Sequence, residues 1–165
     1  MLSRSRTLLL ASAIALGATT ASAQSVHTPK IGTAERTAIM NAARAAQHSS
    51  VKFRVDYLAV AGNANISLAV ADLNDAAGEL PVGGLMFFEA INGRWRALYS
   101  LYMDGADNCK ETVSISKSMI AKAQDINAPQ SFFPPRFYTG YDEAVAALAK
   151  YKDENMLSCA STDRY

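Results

Sequence analysis

The sequence predicts an α+β domain in which an N-terminal helix packs on a four-stranded antiparallel meander, with two more helices following. Four segments of β-type composition succeed one another within residues 51–103, separated by short turn signals, which is typical of a meander. Segments with apolar residues at helical spacing stand before and after them. Because the sequence shows no internal repeat and no low-complexity linker, we expect residues 24–165 to form a single domain.

The first helix is predicted over residues 33–47. Thr33 is a good N-cap residue, and Ile39, Ala43 and Ala46 recur at the spacing of one helix face. Similar apolar spacing predicts two helices after the strands. These C-terminal helices are expected over residues 111–125 and 143–155.

The strands are marked by alternating side chains and by one diagnostic turn. In the first strand Val51, Phe53 and Val55 are separated by charged residues. Asn92-Gly93 stands between two β-type runs and is the strongest two-residue hairpin signal, because both central residues of the favoured turn need a positive φ. The four predicted strands span residues 51–61, 65–73, 85–91 and 94–103.

The N-terminus has the three parts of a secretory signal peptide. Two arginines precede an uncharged apolar run over residues 8–18, and Ala21-Ser22-Ala23 supplies the small-x-small pattern that signal peptidase accepts. The run is too short for a permanent membrane anchor. We therefore expect residues 1–23 to be removed and the domain to be periplasmic or secreted.

The rest of the chain is nearly neutral. The full sequence holds 16 Lys and Arg against 15 Asp and Glu, and removing the two signal-peptide arginines leaves a net charge of −1. A domain without a basic stripe has no electrostatic reason to bind nucleic acid or an anionic membrane surface. We expect a periplasmic or secreted protein as its class of partner.

Both cysteines, Cys109 and Cys159, lie in this exported part. An even cysteine count in an exported protein predicts one disulfide. It would close a loop of about 50 residues and stabilise the fold by roughly 3–4 kcal/mol. A metal site would need histidines close to the cysteines, and His27 and His48 are distant in sequence. We therefore expect neither a metal nor a cofactor.

Motifs of common catalytic sites are absent from the sequence. There is no G-x-S-x-G, no glycine loop followed by Lys and Ser or Thr, and no H-E-x-x-H. Asp72, Asn74 and Asp75 lie together near the end of the second strand, but they lack the spacing of a calcium loop. Loop residues of these types commonly serve turn geometry.

Glu89 is the residue most suggestive of an enzyme, because it shares a strand face with Leu85 and Phe87. If that face is the core, burial raises the carboxyl pKa, and Glu89 with Tyr57 or Tyr99 would form an acid–base site. We favour the alternative in which the opposite face is the core. Glu89 then points to water or pairs across the hairpin with an arginine of the fourth strand.

Five aromatic residues cluster in a short segment before the last predicted helix. Two prolines and Gly140 argue against regular structure there. The cluster either covers the sheet, which we favour, or exposes an apolar patch that binds a partner. Its members are Phe132, Phe133, Phe137, Tyr138 and Tyr141.

Three short motifs resemble those of small exported bacterial proteins of cystatin-like or NTF2-like fold. They are Glu35-Arg36-x-x-Ile39-Met40-x-x-Ala43-Arg44, Val51-x-Phe53-x-Val55-x-x-Leu58-x-Val60-x-Gly62 and Gly93-Arg94-Trp95. The resemblance covers residues 33–103 and implies a helix wrapped by a curved antiparallel sheet. It carries no functional residue over to this chain.

Together these features favour a non-enzymatic periplasmic domain that binds a protein or small ligand through its sheet face and the segment 132–141. Inhibitors of cell-wall hydrolases, including immunity proteins against secreted toxins, belong to this class. The alternatives are an NTF2-like enzyme built around Glu89 and a structural component of the envelope. A deep apolar cavity around Glu89 would favour the enzyme, and an exposed aromatic ridge would favour the binding domain.

Overall fold

A computed structural model of the chain describes residues 25–77, 83–101 and 109–150. Within these ranges the fold is α+β, with a four-stranded antiparallel sheet in the order β1–β2–β3–β4 and helices packed on both of its faces. The predicted signal peptide and Cys159 lie outside the described residues. The elements are α1 (Ala34–Ala46), β1 (Phe53–Gly62), β2 (Ile66–Asp75), β3 (Gly83–Ile91), β4 (Arg94–Leu101), α2 (Cys109–Asp125), a 3-10 helix (Gln130–Phe132) and α3 (Phe137–Lys150).

The predicted meander is confirmed. All three strand pairs are antiparallel between neighbours in sequence. Asn92 and Gly93 have φ values of 53° and 76°, which is the geometry that the β3–β4 hairpin requires of both central residues. An isolated antiparallel bridge between His27 and Val60 places the chain that precedes α1 beside β1.

The first helix is also confirmed, at Ala34–Ala46. The Thr33 hydroxyl accepts a hydrogen bond from the backbone N–H of Arg36 at 3.3 Å, as an N-cap residue does. Ile39 and Ala43 are fully buried on the helix face that contacts the sheet. This face packs on a layer that we call the α1 face, formed by residues including Val60, Ala69, Ala71, Leu73, Met86 and Phe88.

The opposite side of the sheet, which we call the aromatic face, is covered by α2, α3 and the 3-10 helix. Phe87 at its centre is fully buried and contacts the rings of Phe132 and Phe133 with centroids 6.1 and 6.2 Å away. The remaining buried members of this layer include Ala59, Val70, Leu85, Met119, Ala123, Ile126 and Phe137. The sheet is therefore the middle of three layers, with apolar side chains on both faces.

The last helix begins six residues earlier than predicted, at Phe137 instead of residue 143. The prediction was wrong because it treated Gly140 as a helix breaker, although a glycine inside a helix costs only about 1 kcal/mol relative to alanine. Burial of Phe137, which stacks on Phe133 with ring centroids 4.3 Å apart, stabilises this first turn. The two prolines precede the helix, where they do not interrupt it.

Candidate functional site

The aromatic segment proposed as a binding surface forms part of the core. Phe132, Phe133 and Phe137 are at most 3% exposed and pack on one another and on the sheet. Tyr138 stacks edge-on against Phe133 and stays half-buried, as does Tyr141. The segment thus covers the sheet, and its three phenylalanines are inaccessible to a partner in this conformation.

Glu89 is buried on the aromatic face, and our favoured interpretation that it points to water was wrong, because both faces of the sheet are core. The expected pair across the hairpin does form: Arg96 donates to Glu89 at 2.7 Å. Lys122 of α2 donates to the other carboxylate oxygen at 2.9 Å. The hydrogen bonds from Lys122 and Arg96 hold the pKa of Glu89 below its ordinary value in spite of burial.

Among the described residues, neither Tyr57 nor Tyr99 donates a hydrogen bond to Glu89. Tyr57 lies two side-chain rows farther along the sheet, with the row of Val70 and Phe87 between them. Its hydroxyl donates to the backbone carbonyl of Ser131 at 2.8 Å, and burial raises its pKa. Tyr99 packs its ring against Phe87. A carboxylate held by two cations inside a filled layer is suited to docking α2 on the sheet.

Asp72 is a buried carboxylate whose pKa lies far from its ordinary value. It lies on the aromatic face opposite Tyr57, is 7% exposed, and receives no hydrogen bond from the described residues. Burial, and secondly the negative charge of Asp56, raise the pKa of Asp72 to about 6, with Arg54 opposing the change. The sequence around Asp72 suggests only calcium binding and does not reveal its burial.

The three residues of that calcium alternative do not converge on one point. Alternation along β2 places Asp72 and Asn74 on one face of the sheet and Asp75 on the other. The Asn74 amide donates to Asp56 at 2.7 Å. Among the described residues no group of three His, Cys, Asp or Glu could hold a metal ion.

A groove of about 640 Å³ opens on the α1 face, at the end of the sheet where the β1–β2 and β3–β4 turns lie. We call it the hairpin-end groove. Its walls come from the first turns of α1, from both hairpin turns and from the single tryptophan of the chain. The described residues that line it are Ala34, Glu35, Ala38, Asn63, Ala64, Asn65, Ile66, Ser67, Ala90, Asn92, Gly93 and Trp95.

The groove exists because small residues face each other at this end of the layer. Register places Gly62, Ser67, Ala90 and Trp95 in one row across the four strands. Gly62 has no room for a side chain, since a Cβ there would lie 2.8 Å from the Ser67 hydroxyl oxygen. Helix α1 contributes only alanines and one glutamate opposite this row, so Trp95 is the one aromatic wall among the described lining residues.

Polar groups on the rim of the groove are oriented by the turns. The Asn63 side-chain oxygen accepts backbone N–H groups of Asn65 and Ile66, both at 3.0 Å. No hydrogen bond from the described residues occupies the side-chain amides of Asn65 and Asn92. Glu35 contacts His27 at 2.9 Å through one carboxylate oxygen.

Sequence reasoning missed this groove. The signals it could have used were the asparagines at both hairpin turns and the lone tryptophan two residues after the second turn. Their convergence depends on α1 crossing that end of the sheet, which no local pattern specifies.

No protein family profile, curated protein or solved structure matches this chain. The cystatin-like or NTF2-like resemblance therefore stays a prediction. None of the described helices combines the length and apolar character needed to cross a membrane.

Proposed function

We propose that this chain is an exported, non-enzymatic binding domain that holds its ligand in the hairpin-end groove. The observation that carries the proposal is the contrast between filled and open surfaces. Both faces of the sheet and the aromatic segment are taken up by the core. The groove has a volume typical of ligand sites and stays open to solvent.

This proposal keeps the class predicted from the sequence and changes the place of binding. The phenylalanines of segment 132–141 are buried, and Glu89 is neutralised by two cations. Neither group is therefore offered to a ligand. An inhibitor or immunity-type role would have to engage its target protein through the groove and its hairpin-turn rim.

Export and a Cys109–Cys159 disulfide are part of the same proposal. Cys109 is buried at the start of α2. We expect protein expressed with its own leader to be recovered from the periplasm with Gln24 as its first residue. Its thiols should resist alkylation until a reductant is added, and intact mass measurement checks both points. A retained leader or two alkylated cysteines without reductant would contradict this part.

The binding site is tested by NMR on ¹⁵N-labelled protein titrated with a concentrated soluble extract of bacterial envelopes. We expect the single indole resonance, from Trp95, and the backbone amides of Asn65 and Asn92 to shift. The amides of Tyr138 and Tyr141 should stay in place. Shifts confined to α3, or no shift at all, would refute binding at the groove.

A matched pair of variants on α1 links those shifts to the groove. Ala38 lines the groove, whereas Ala45 lies exposed on the same helix away from it. Ala38→Phe fills the cavity and should abolish the response, and Ala45→Phe should leave it intact. Equal responses from both variants would contradict the assignment.

A further inference from the structure

We infer that the ligand of the hairpin-end groove is a neutral saccharide, bound as a short stretch of a glycan against Trp95. This inference rests on the proposed function and names the chemistry of the ligand. It follows from four properties of the groove: an aromatic wall, amide groups on the rim, the scarcity of charge, and the position at the ends of the strands.

The aromatic wall is the indole of Trp95. This side chain is half-buried, with part of it packed on the α1 face and part lining the groove. No described residue accepts a hydrogen bond from its ring N–H. The ring N–H is not a buried atom, so it is accessible and can donate to a ligand. A pyranose ring would lay its C–H face on the indole and place a hydroxyl where the N–H can donate.

The rim supplies both donors and acceptors. Because the Asn63 oxygen is taken by two backbone N–H groups, its amide N–H₂ is left as a donor of fixed orientation. Asn65 and Asn92 each offer a carbonyl and an N–H₂ on the two flanking turns. Sugar hydroxyls both donate and accept hydrogen bonds, so neighbouring hydroxyls match amide groups better than purely accepting or purely donating ligands do.

The scarcity of charge argues against an anionic ligand. Glu35 is the charged residue among the described lining residues, and its contact with His27 leaves the second carboxylate oxygen as an acceptor. With no lysine or arginine among the described lining residues, a phosphate would meet only a negative side chain. A neutral ligand avoids this repulsion, and its hydroxyls can donate to the carboxylate.

The position of the groove argues against an extended peptide. Peptides that bind sheets commonly add a strand along an exposed edge. The groove lies on a face of the sheet and runs across the turns at the ends of the strands, instead of along the outer edge of β1 or β4. Its volume of about 640 Å³ is within the range of small-ligand clefts.

The test is titration calorimetry on the exported protein with three neutral trisaccharides: cellotriose, maltotriose and triacetylchitotriose. Trialanine and glycerol 3-phosphate serve as the peptide and anion comparators. We expect at least one trisaccharide to bind and to change the Trp95 fluorescence, and neither comparator to do so. Binding of trialanine or glycerol 3-phosphate without any trisaccharide would overturn the inference.

Substitutions at two groove positions, Trp95 and Asn65, test whether the sugar lies in the groove. Trp95→Ala should weaken binding by about tenfold, as expected for loss of an aromatic stacking contact. Trp95→Phe keeps an aromatic wall and should lose less, which covers the case in which the alanine variant does not fold. Asn65→Ala should weaken binding by about fivefold through one lost hydrogen bond, and Gln124→Ala, an exposed amide on α2, should change nothing.

The outcomes separate this inference from the proposed function. If the envelope extract shifts the groove resonances and no trisaccharide binds, the groove is a site but the ligand class is wrong. If trisaccharides bind but the shifts and the variants point to another surface, the groove assignment fails. If neither the extract nor any sugar affects Trp95, both proposals fail together.

Discussion

The aromatic face of the sheet carries two buried carboxylates at opposite ends, and they behave in opposite ways. Glu89, near the hairpin turns, is 3% exposed and has a lowered pKa. Asp72, at the other end, is 7% exposed, and burial raises its pKa to about 6. Burial disfavours the charged form at both positions, so burial alone cannot explain the difference.

The partners explain it. The Glu89 carboxylate accepts hydrogen bonds from Lys122 of α2 and Arg96 of β4. Asp72 has no hydrogen-bond donor among the described residues, and the negative charge of Asp56 raises its pKa further. The Glu89 end is therefore held by charge pairing between the sheet and a helix. At the other end, ionisation of the Asp72 carboxyl group lowers the free energy of unfolding and so destabilises the fold.

The largest change in stability is expected when one of the two cationic side chains paired with Glu89 is replaced. Lys122→Ala leaves a buried carboxylate with one partner instead of two. Because Lys122 is itself about one-third exposed, we discount the full buried-pair cost and expect a loss of about 2 kcal/mol in the free energy of unfolding. Urea unfolding at pH 7 measures it.

The pH dependence of this variant has a defined sign. The folded pKa of Glu89 lies below its unfolded value. The stabilisation is therefore present above pH about 4.3 and disappears as the pH falls through the folded pKa. The difference between wild type and Lys122→Ala should shrink below pH 4. Lys117→Ala, an exposed lysine of the same helix, should cost less than about 0.5 kcal/mol. If Lys117→Ala lowers the free energy of unfolding by as much as Lys122→Ala, the loss cannot be attributed to the Glu89 pair.

The second effect is a stabilisation, expected from Asp72→Asn. The folded pKa of Asp72 of about 6 lies above the unfolded value of an aspartate, so ionisation opposes folding by an amount that grows as the pH rises from about 3.9 to about 6 and then levels off. The variant cannot ionise there and should be more stable by about 2 kcal/mol at pH 8. The gain should shrink as the pH falls below 6 and vanish below pH about 3, where the aspartate is protonated in both the folded and the unfolded protein.

Direct titration of the Asp72 carboxyl carbon by NMR provides the check. A midpoint near 6 is expected, and a midpoint near 4 would mean that a donor reaches this carboxylate in solution. In that case Asp72→Asn would bring no stabilisation at pH 8, and the contrast with Glu89 would disappear.

Much of the fold could be predicted because its signals are local. The Asn92-Gly93 hairpin and the capped helix beginning after Thr33 depend on residues adjacent in sequence, and both were confirmed. The strand boundaries followed from alternation and turn residues in the same way. Predictions that needed only one strand and its turn were sound.

The errors came from contacts distant in sequence. Lys122 lies 33 residues from Glu89. No pattern within β3 therefore indicates the partner that allows Glu89 to be buried. The near-continuous apolar run around Glu89 was itself a sign of a strand buried on both faces. The groove needed three separated segments to converge. The early start of α3 is the exception, because Phe137 stacks against Phe133 only four residues before it and the error came from the weight given to Gly140.

The smallest effect tests whether Tyr57 takes part in the environment of Asp72, its cross-strand neighbour. Its hydroxyl donates to the Ser131 carbonyl at 2.8 Å. Tyr57→Phe should therefore cost about 0.5–1 kcal/mol, the net contribution of one hydrogen bond near the surface. The midpoint of the Asp72 titration should stay at its wild-type value, because the hydroxyl is committed to Ser131. If the midpoint instead rises in the variant, the tyrosine donates to the ionised carboxylate, and the two groups form the acid–base pair that the Glu89 site does not provide.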